Sequence, residues 1–261
     1  MSYGIVLDHP VDFEGWRRAA RRLIGAGIAP SRVIWSVGQS TDLLAEDLPL
    51  PDEPERGFSV PKSFMPLAET VIRCRDDQRF DLAYRLLWRI ALGERHLLQI
   101  VSDPDVRLAT LWAKSVRHDM HKMRAFLRFR EVTDESGTIY VAWFEPEHFI
   151  VEANAGFFQR RFASMHWFIL TPYRSLHWDG KTLAMAGGGA KSMLPDDDRF
   201  GALWNGYFTS IFNPARLKVK SMETHMARKY WKNMPETALI PAMTKAAAKR
   251  TQIMIEAHST G

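Results

Sequence analysis

The densest run of side chains able to do chemistry is Lys114-Ser-Val-Arg-His-Asp-Met-His-Lys-Met-Arg-Ala-Phe-Leu-Arg-Phe-Arg130. Lysine, arginine and histidine bind anions, and a row of them suits a repeated phosphate. On a helix, Lys114, His118, His121 and Lys122 sit at i, i+4, i+7 and i+8 and share a stripe, with Arg117 beside it. Val116, Met120 and Met123 point elsewhere, toward a core. Arg128 and Arg130 then take alternate positions of a strand, sharing a face, while Phe129 takes the other. Asp119 is the only acid before Glu131, so the run repels itself and an anionic partner would relieve that cost. The competing reading is a solvated helix face. The run keeps its sign from helix into strand, which favours phosphate binding.

A second basic block comprises Arg216-Leu-Lys-Val-Lys220 and Arg228-Lys-Tyr-Trp-Lys232. If extended, the first segment places Arg216, Lys218 and Lys220 on one face. In the second, Lys229 and Lys232 flank Tyr230 and Trp231. An aromatic ring stacks on an exposed base for ~1–3 kcal/mol, which makes Trp231 a candidate; the alternative is that both rings anchor a loop. Arg160 and Arg161, set among Phe157, Phe158 and Phe162, either join this surface or form structural ion pairs. The two blocks are expected to lie side by side as one cationic groove.

Other chemistry has weaker footing. His118 and His121, with His148, His166 and His177 elsewhere, lack the His-Glu-x-x-His pattern, and spacing implies no third ligand, so no metal is expected. The stretch Ala186-Gly-Gly-Gly-Ala-Lys-Ser192 has Met185 and Ala190 where a phosphate loop needs glycine, and reads as a flexible loop. Asp196-Asp197-Asp198 reads as a helix N-terminus rather than a Mg²⁺ site. There is no G-x-S-x-G, and no cofactor is implied. Cys74, the single cysteine, excludes an intramolecular disulfide and a cysteine-based zinc site. Arg73 and Arg75 flank it and would lower its pKa, but a lone cysteine there reads as structural. An enzyme acting on a flipped base is a second possibility: Trp143, Phe144, Trp167 and Trp178 would line its pocket, with Glu145, Glu147 or His148 as acid–base groups. A protein–protein adaptor that never touches DNA is a third.

These residues must be positioned by a mixed set of elements. Residues 3–7 and 32–37 read as strands around a helix from Asp12, with Trp16, Ala19, Ala20, Leu23 and Ile24 inward and Gly25 and Gly27 at its end. Arg17, Arg18, Arg21 and Arg22 fill its outer face. Helices are predicted at 61–74 and 78–92, then from Pro104, capped by Asp103, to Arg124. A hairpin pairs 126–132 with 138–144. A helix from Pro146 turns Ile150, Ala153, Phe157 and Phe158 inward. Strands follow at 165–171, 174–178 and 182–185, and helices at 196–213 and 239–257. The fold class expected is α+β: a small β-α-β unit with an acidic, proline-rich linker over 1–58, and a larger basic domain over 59–261.

The 261 residues carry 35 Lys and Arg against 30 Asp and Glu, a net charge of +5, and a pI near 9.4. That balance alone is weak evidence for nucleic acid. A hydrophobic share of 46% and a charged share of 25% are those of a chain with a real core, which excludes collagen-like, disordered and coiled-coil classes. No apolar run reaches ~18 residues and the N-terminus lacks a signal-peptide pattern, so no membrane span is expected. With one cysteine, a cytoplasmic location is expected.

The strings VRHDMHKMRAFLRFREV (116–132), YVAWFEPEHFI (140–150), RRFASMHWFILTP (160–172), LHWDG (176–180), SIFNPARLKVK (210–220) and KYWKNMPE (229–236) together resemble one family, as does HPVDFEGWRRAARRL (9–23). It is the uncharacterised bacterial family described as probable DNA metabolism protein, found beside a radical-SAM protein or fused ahead of a uracil-DNA-glycosylase-like domain. The resemblance implies a role in DNA repair or modification with a radical-SAM partner. It supplies no catalytic residue. The chain ends at Gly261 without the glycosylase-like domain, so glycosylase activity is not expected. The function expected is a DNA-binding accessory protein.

Overall fold

The computed structural model describes residues 2–38, 49–52, 57–134 and 137–191. The fold is α+β. The described residues group into two compact units, one drawn from 1–121 and 147–150, the other from 122–146 and 151–191.

In the first unit, β1 (Tyr3–Leu7) and β2 (Val33–Val37) pair in parallel, Tyr3 opposite Val33 and Leu7 opposite Val37. Between them runs α1 (Phe13–Gly25). Asp12 caps it: its Oδ1 accepts the Gly15 N–H at 2.8 Å. Gly27, at φ +67°, supplies the left-handed residue just beyond its end. Two helices follow, α2 (Phe64–Ile72) and α3 (Arg79–Ala91). The helix α4 (Pro104–Phe126) begins in this unit and carries the chain into the second. Asp103 caps α4, accepting from Asp105 N–H and Val106 N–H at 3.0 and 3.1 Å, and its other oxygen takes Arg89 Nη2 at 2.7 Å.

Ile5, Leu7, Trp16 and Leu23 share one core with Phe64, Ile72, Phe80, Leu86 and Ala113. Trp35 lies among Trp16, Phe80 and Tyr84, with ring centroids 5.7–6.3 Å apart. The Tyr84 hydroxyl donates to Ile28 O at 2.7 Å, tying α3 to the turn after α1. The β-α-β segment shares its core with α2, α3 and the first half of α4.

In the second unit, β3 (Phe129–Asp134) and β4 (Gly137–Trp143) form the expected hairpin. The crossover through α5 (Val151–Arg161) brings β5 (Trp167–Leu170) parallel to β4. Antiparallel β6 (Arg174–Trp178) and β7 (Leu183–Gly187) complete a five-stranded sheet in the order β3-β4-β5-β6-β7. Alternation puts Phe129, Ala142, Trp167, Ile169, Leu176 and Trp178 in the core. Ala155 and Phe158 of α5 are buried too, and the Phe158 and Trp167 rings meet at 6.5 Å.

Two elements depart from expectation. The helix predicted from Pro146 starts at Val151, because N–H groups before it are taken by non-helical partners. Asp119 Oδ2 accepts from Glu147 N–H and His148 N–H, and Arg73 O accepts from Phe149 N–H. Its buried residues are Val151, Asn154, Ala155 and Phe158, with Ala153 and Phe157 only half-buried. The glycine tract is not simply a loop: Gly187 ends β7, and Gly189 N–H donates to Thr171 O at 2.9 Å. A Cβ on Gly188 would lie 2.0 Å from Pro172 O, so only glycine fits there. The helices predicted at 196–213 and 239–257, with Asp196–Asp198, lie outside the described residues.

Candidate nucleic-acid interface

The first half of α4 separates its charges from its apolar residues by helical period. Val106, Ala109, Ala113 and Val116 recur at three- and four-residue spacing and are buried. Lys114, Arg117, His118 and His121 occupy the exposed side. Arg107 joins them, seven residues before Lys114 and also exposed. Sequence reasoning missed Arg107, although that spacing was a legible signal. Arg107, Lys114, Arg117 and His121 make no ion pair among the described residues.

Asp119 is the only carboxylate between Val106 and Phe126, and it is 1% exposed. Its Oδ2 accepts the Glu147 N–H at 2.8 Å and the His148 N–H at 3.0 Å. Backbone dipoles thus engage the one side chain on this stretch that could neutralise the exposed cations. Over ~15 Å of helix from Arg107 to Arg117, the outer face carries three unpaired cations among the described residues, with His121 a turn further on.

Lys122 does not join the stripe, being 8% exposed. It lies roughly 80° round the helix from Lys114, on the way to the buried side. The remaining described candidates belong to the second unit. Arg128 is half-buried and its Nη1 donates to Ala125 O at 2.8 Å and Leu127 O at 3.2 Å, at the end of α4. Arg130 is half-buried on the sheet face opposite Phe129. Arg160 and Arg161 are exposed at the end of α5, with Arg161 5.9 Å from the Phe162 ring centre. Arg124, exposed, donates through Nε to Asn154 Oδ1 at 2.7 Å and lies 5.1 Å from the Phe157 ring centre. Arg216, Lys218, Lys220, Lys229, Trp231 and Lys232 lie outside the described residues, and with them the second wall of the expected groove.

Ser115 and His148 form a pair that resembles the start of a nucleophile–base arrangement. Ser115 Oγ and His148 Nε2 are 2.8 Å apart. The other ring nitrogen, Nδ1, takes the Arg75 N–H at 3.3 Å. A backbone N–H can only donate, so Nδ1 is the acceptor and Nε2 carries the proton. The imidazole then donates to the serine oxygen and cannot act as its base in this arrangement.

The aromatic set considered for a flipped base is buried: Trp143 and Trp178 are 8% and 6% exposed, Phe144 and Trp167 less. Trp143 Nε1–H donates to Glu145 Oε1 at 2.8 Å, and Trp178 Nε1–H to Ala163 O at 3.0 Å. These rings build the core of the second unit. Cys74 is buried, and desolvation pushes its thiol pKa up, against the lowering expected from its arginine neighbours. Among the described residues, no three of His, Cys, Asp and Glu converge as a metal site would require. No helix among them is long and apolar enough to cross a membrane.

Comparison with known proteins finds no match among curated proteins or solved structures. One family model matches residues 77–236, a stretch that takes in α3, the whole of α4 and every described strand of the second unit. That match spans more than half of the chain, which therefore belongs to the DUF4130 family, a domain of unknown function.

Proposed function

We propose that this protein is a DNA-binding accessory protein in DNA repair or modification, acting with a radical-SAM partner. The observation that carries the DNA-binding part is the outer face of α4, where Arg107, Lys114, Arg117, His118 and His121 are exposed and Asp119 is not. Phosphates are the anions that a row of cations along one helix engages, through charge and counterion release rather than through a shaped pocket. The radical-SAM partner rests on the family resemblance of the sequence alone. The reading as an enzyme on a damaged base has less support, since the four aromatics named for its pocket are buried.

The test is a binding series with single-stranded, duplex and lesion-bearing oligonucleotides at several salt concentrations, alongside co-purification with the radical-SAM protein. Binding that weakens steeply with salt supports the reading. Co-purification with no shift of any oligonucleotide would replace it with the adaptor.

A further inference from the structure

The first unit contains a cavity of about 510 Å³ that the proposed function does not use. Cavities of roughly 300–1,000 Å³ are the size that takes small organic ligands. Its α1 wall is Phe13, Trp16, Arg17 and Arg21, which span about 140° of the helix circumference. The Phe13 and Trp16 rings are stacked, with centroids 5.8 Å apart and planes 20° apart. Phe58 and Met65 bring further apolar surface to the lining.

Among the described residues that line this cavity, the charged side chains are the two guanidiniums. Arg21 is exposed and makes no hydrogen bond or ion pair among the described residues. Arg17 pairs with Glu14 at 3.0 Å, but the two side chains are 54% and 67% exposed, so the pair is weak and readily exchanged. Planar guanidiniums recognise carboxylates and their isosteres by paired N–H donors. The described lining has no side-chain acceptor to meet the amino edge of a nucleobase, and leaving that edge unpaired would be costly. An aryl body without polar edges meets no such penalty.

We infer that this cavity binds a small aryl carboxylate, its ring lying among Phe13, Phe58 and Met65 and its anionic group held by Arg17 and Arg21. The probe is 8-anilinonaphthalene-1-sulfonate, an aryl anion that fluoresces when desolvated, compared with the neutral N-phenyl-1-naphthylamine on the full-length protein. One-to-one binding is expected, with the anion at least tenfold tighter than the neutral dye. The double variant R17Q/R21Q, altered only at exposed positions, should erase that preference while leaving neutral-dye binding in place. M65W, which fills the cavity from a half-buried position, should weaken both dyes at least tenfold at an unchanged urea midpoint, and 1-naphthoate should displace the anion from wild type. Equal affinity for the two dyes, or a preference that survives R17Q/R21Q, would overturn the anion assignment. No saturable emission in wild type would overturn the site itself. If M65W unfolds, the arginine variant and the naphthoate competition still decide.

Discussion

Replacing Arg107, Lys114 and Arg117 together by glutamine should change how DNA affinity depends on salt, not merely lower it. Each phosphate neutralised contributes about −0.9 to the slope of log affinity against log salt on duplex DNA. Removing three cations should make the slope less steep by about 2.7, whatever other contacts the chain makes. Between 50 and 200 mM salt, where log salt changes by about 0.6, the affinity gap between wild type and variant should narrow by about 40-fold. Glutamine is nearly as good a helix former as lysine or arginine, and all three positions are exposed, so the fold should lose no more than about 0.5 kcal/mol. Fluorescence anisotropy of a labelled duplex at four salt concentrations reads the slope directly. A charge-matched control, R18Q/K62Q/R95Q, three exposed cations outside both α4 and the cavity beside α1, separates a local face from bulk charge. An unchanged slope in the α4 variant, or an equal change in the control, would refute the assignment of phosphate contacts to α4.

Four further outcomes are expected. Asp119→Ala leaves the Glu147 and His148 amides without their acceptor and should cost about 2–4 kcal/mol in urea unfolding, with Asp119→Asn losing less because one oxygen remains. Asp103→Ala should cost about 1–2 kcal/mol at pH 7 through the lost cap and Arg89 contact. The Arg89 hydrogen bond and the cap hold the Asp103 carboxyl below the usual carboxylate range, so its contribution is present above about pH 4 and is lost as pH falls through the lowered value; the gap between wild type and variant should close in the acid arm of a pH–stability curve. Gly188→Ala must displace the Pro172 carbonyl and should cost about 1–3 kcal/mol, with faster hydrogen exchange at the Gly189 amide. A fluorophosphonate serine probe should leave Ser115 unlabelled, since His148 donates to it; labelling abolished by His148→Ala would reverse that tautomer assignment.

What the sequence made legible was written in local signals. Asp12 ahead of α1, Gly27 after it, and Asp103-Pro104 at the start of α4 mark helix ends through caps that act within three residues. The strands around α1 and the 129–143 hairpin follow from apolar alternation and a turn. The start of α5 was not legible, because Pro146 carries a helix-opening signal while the amides after it are bound by Asp119 and Arg73, far away in sequence. Lys122 was misplaced by treating i+8 as equivalent to i+7. Eight residues overshoot two turns by about 80°, whereas seven fall short by about 20°, and that difference separates buried Lys122 from exposed His121. The same period, run backward from Lys114, reaches Arg107.

Asp119 joins the two kinds of information. In the sequence it is the one acid in a basic run and counts against a phosphate-binding face. Helical period turns it about 140° away from Lys114, and the irregular 147–148 backbone presents two N–H groups that make its burial tolerable. The carboxylate therefore holds the segment ahead of α5 in a non-helical path, and its withdrawal leaves the α4 face cationic. That structural role accounts for the burial of Asp119, and its consequence for α4 is that no carboxylate between Val106 and Phe126 stands among the exposed cations. The position of that one acid, more than the net charge of +5, is the physical ground for reading α4 as an anion-binding surface.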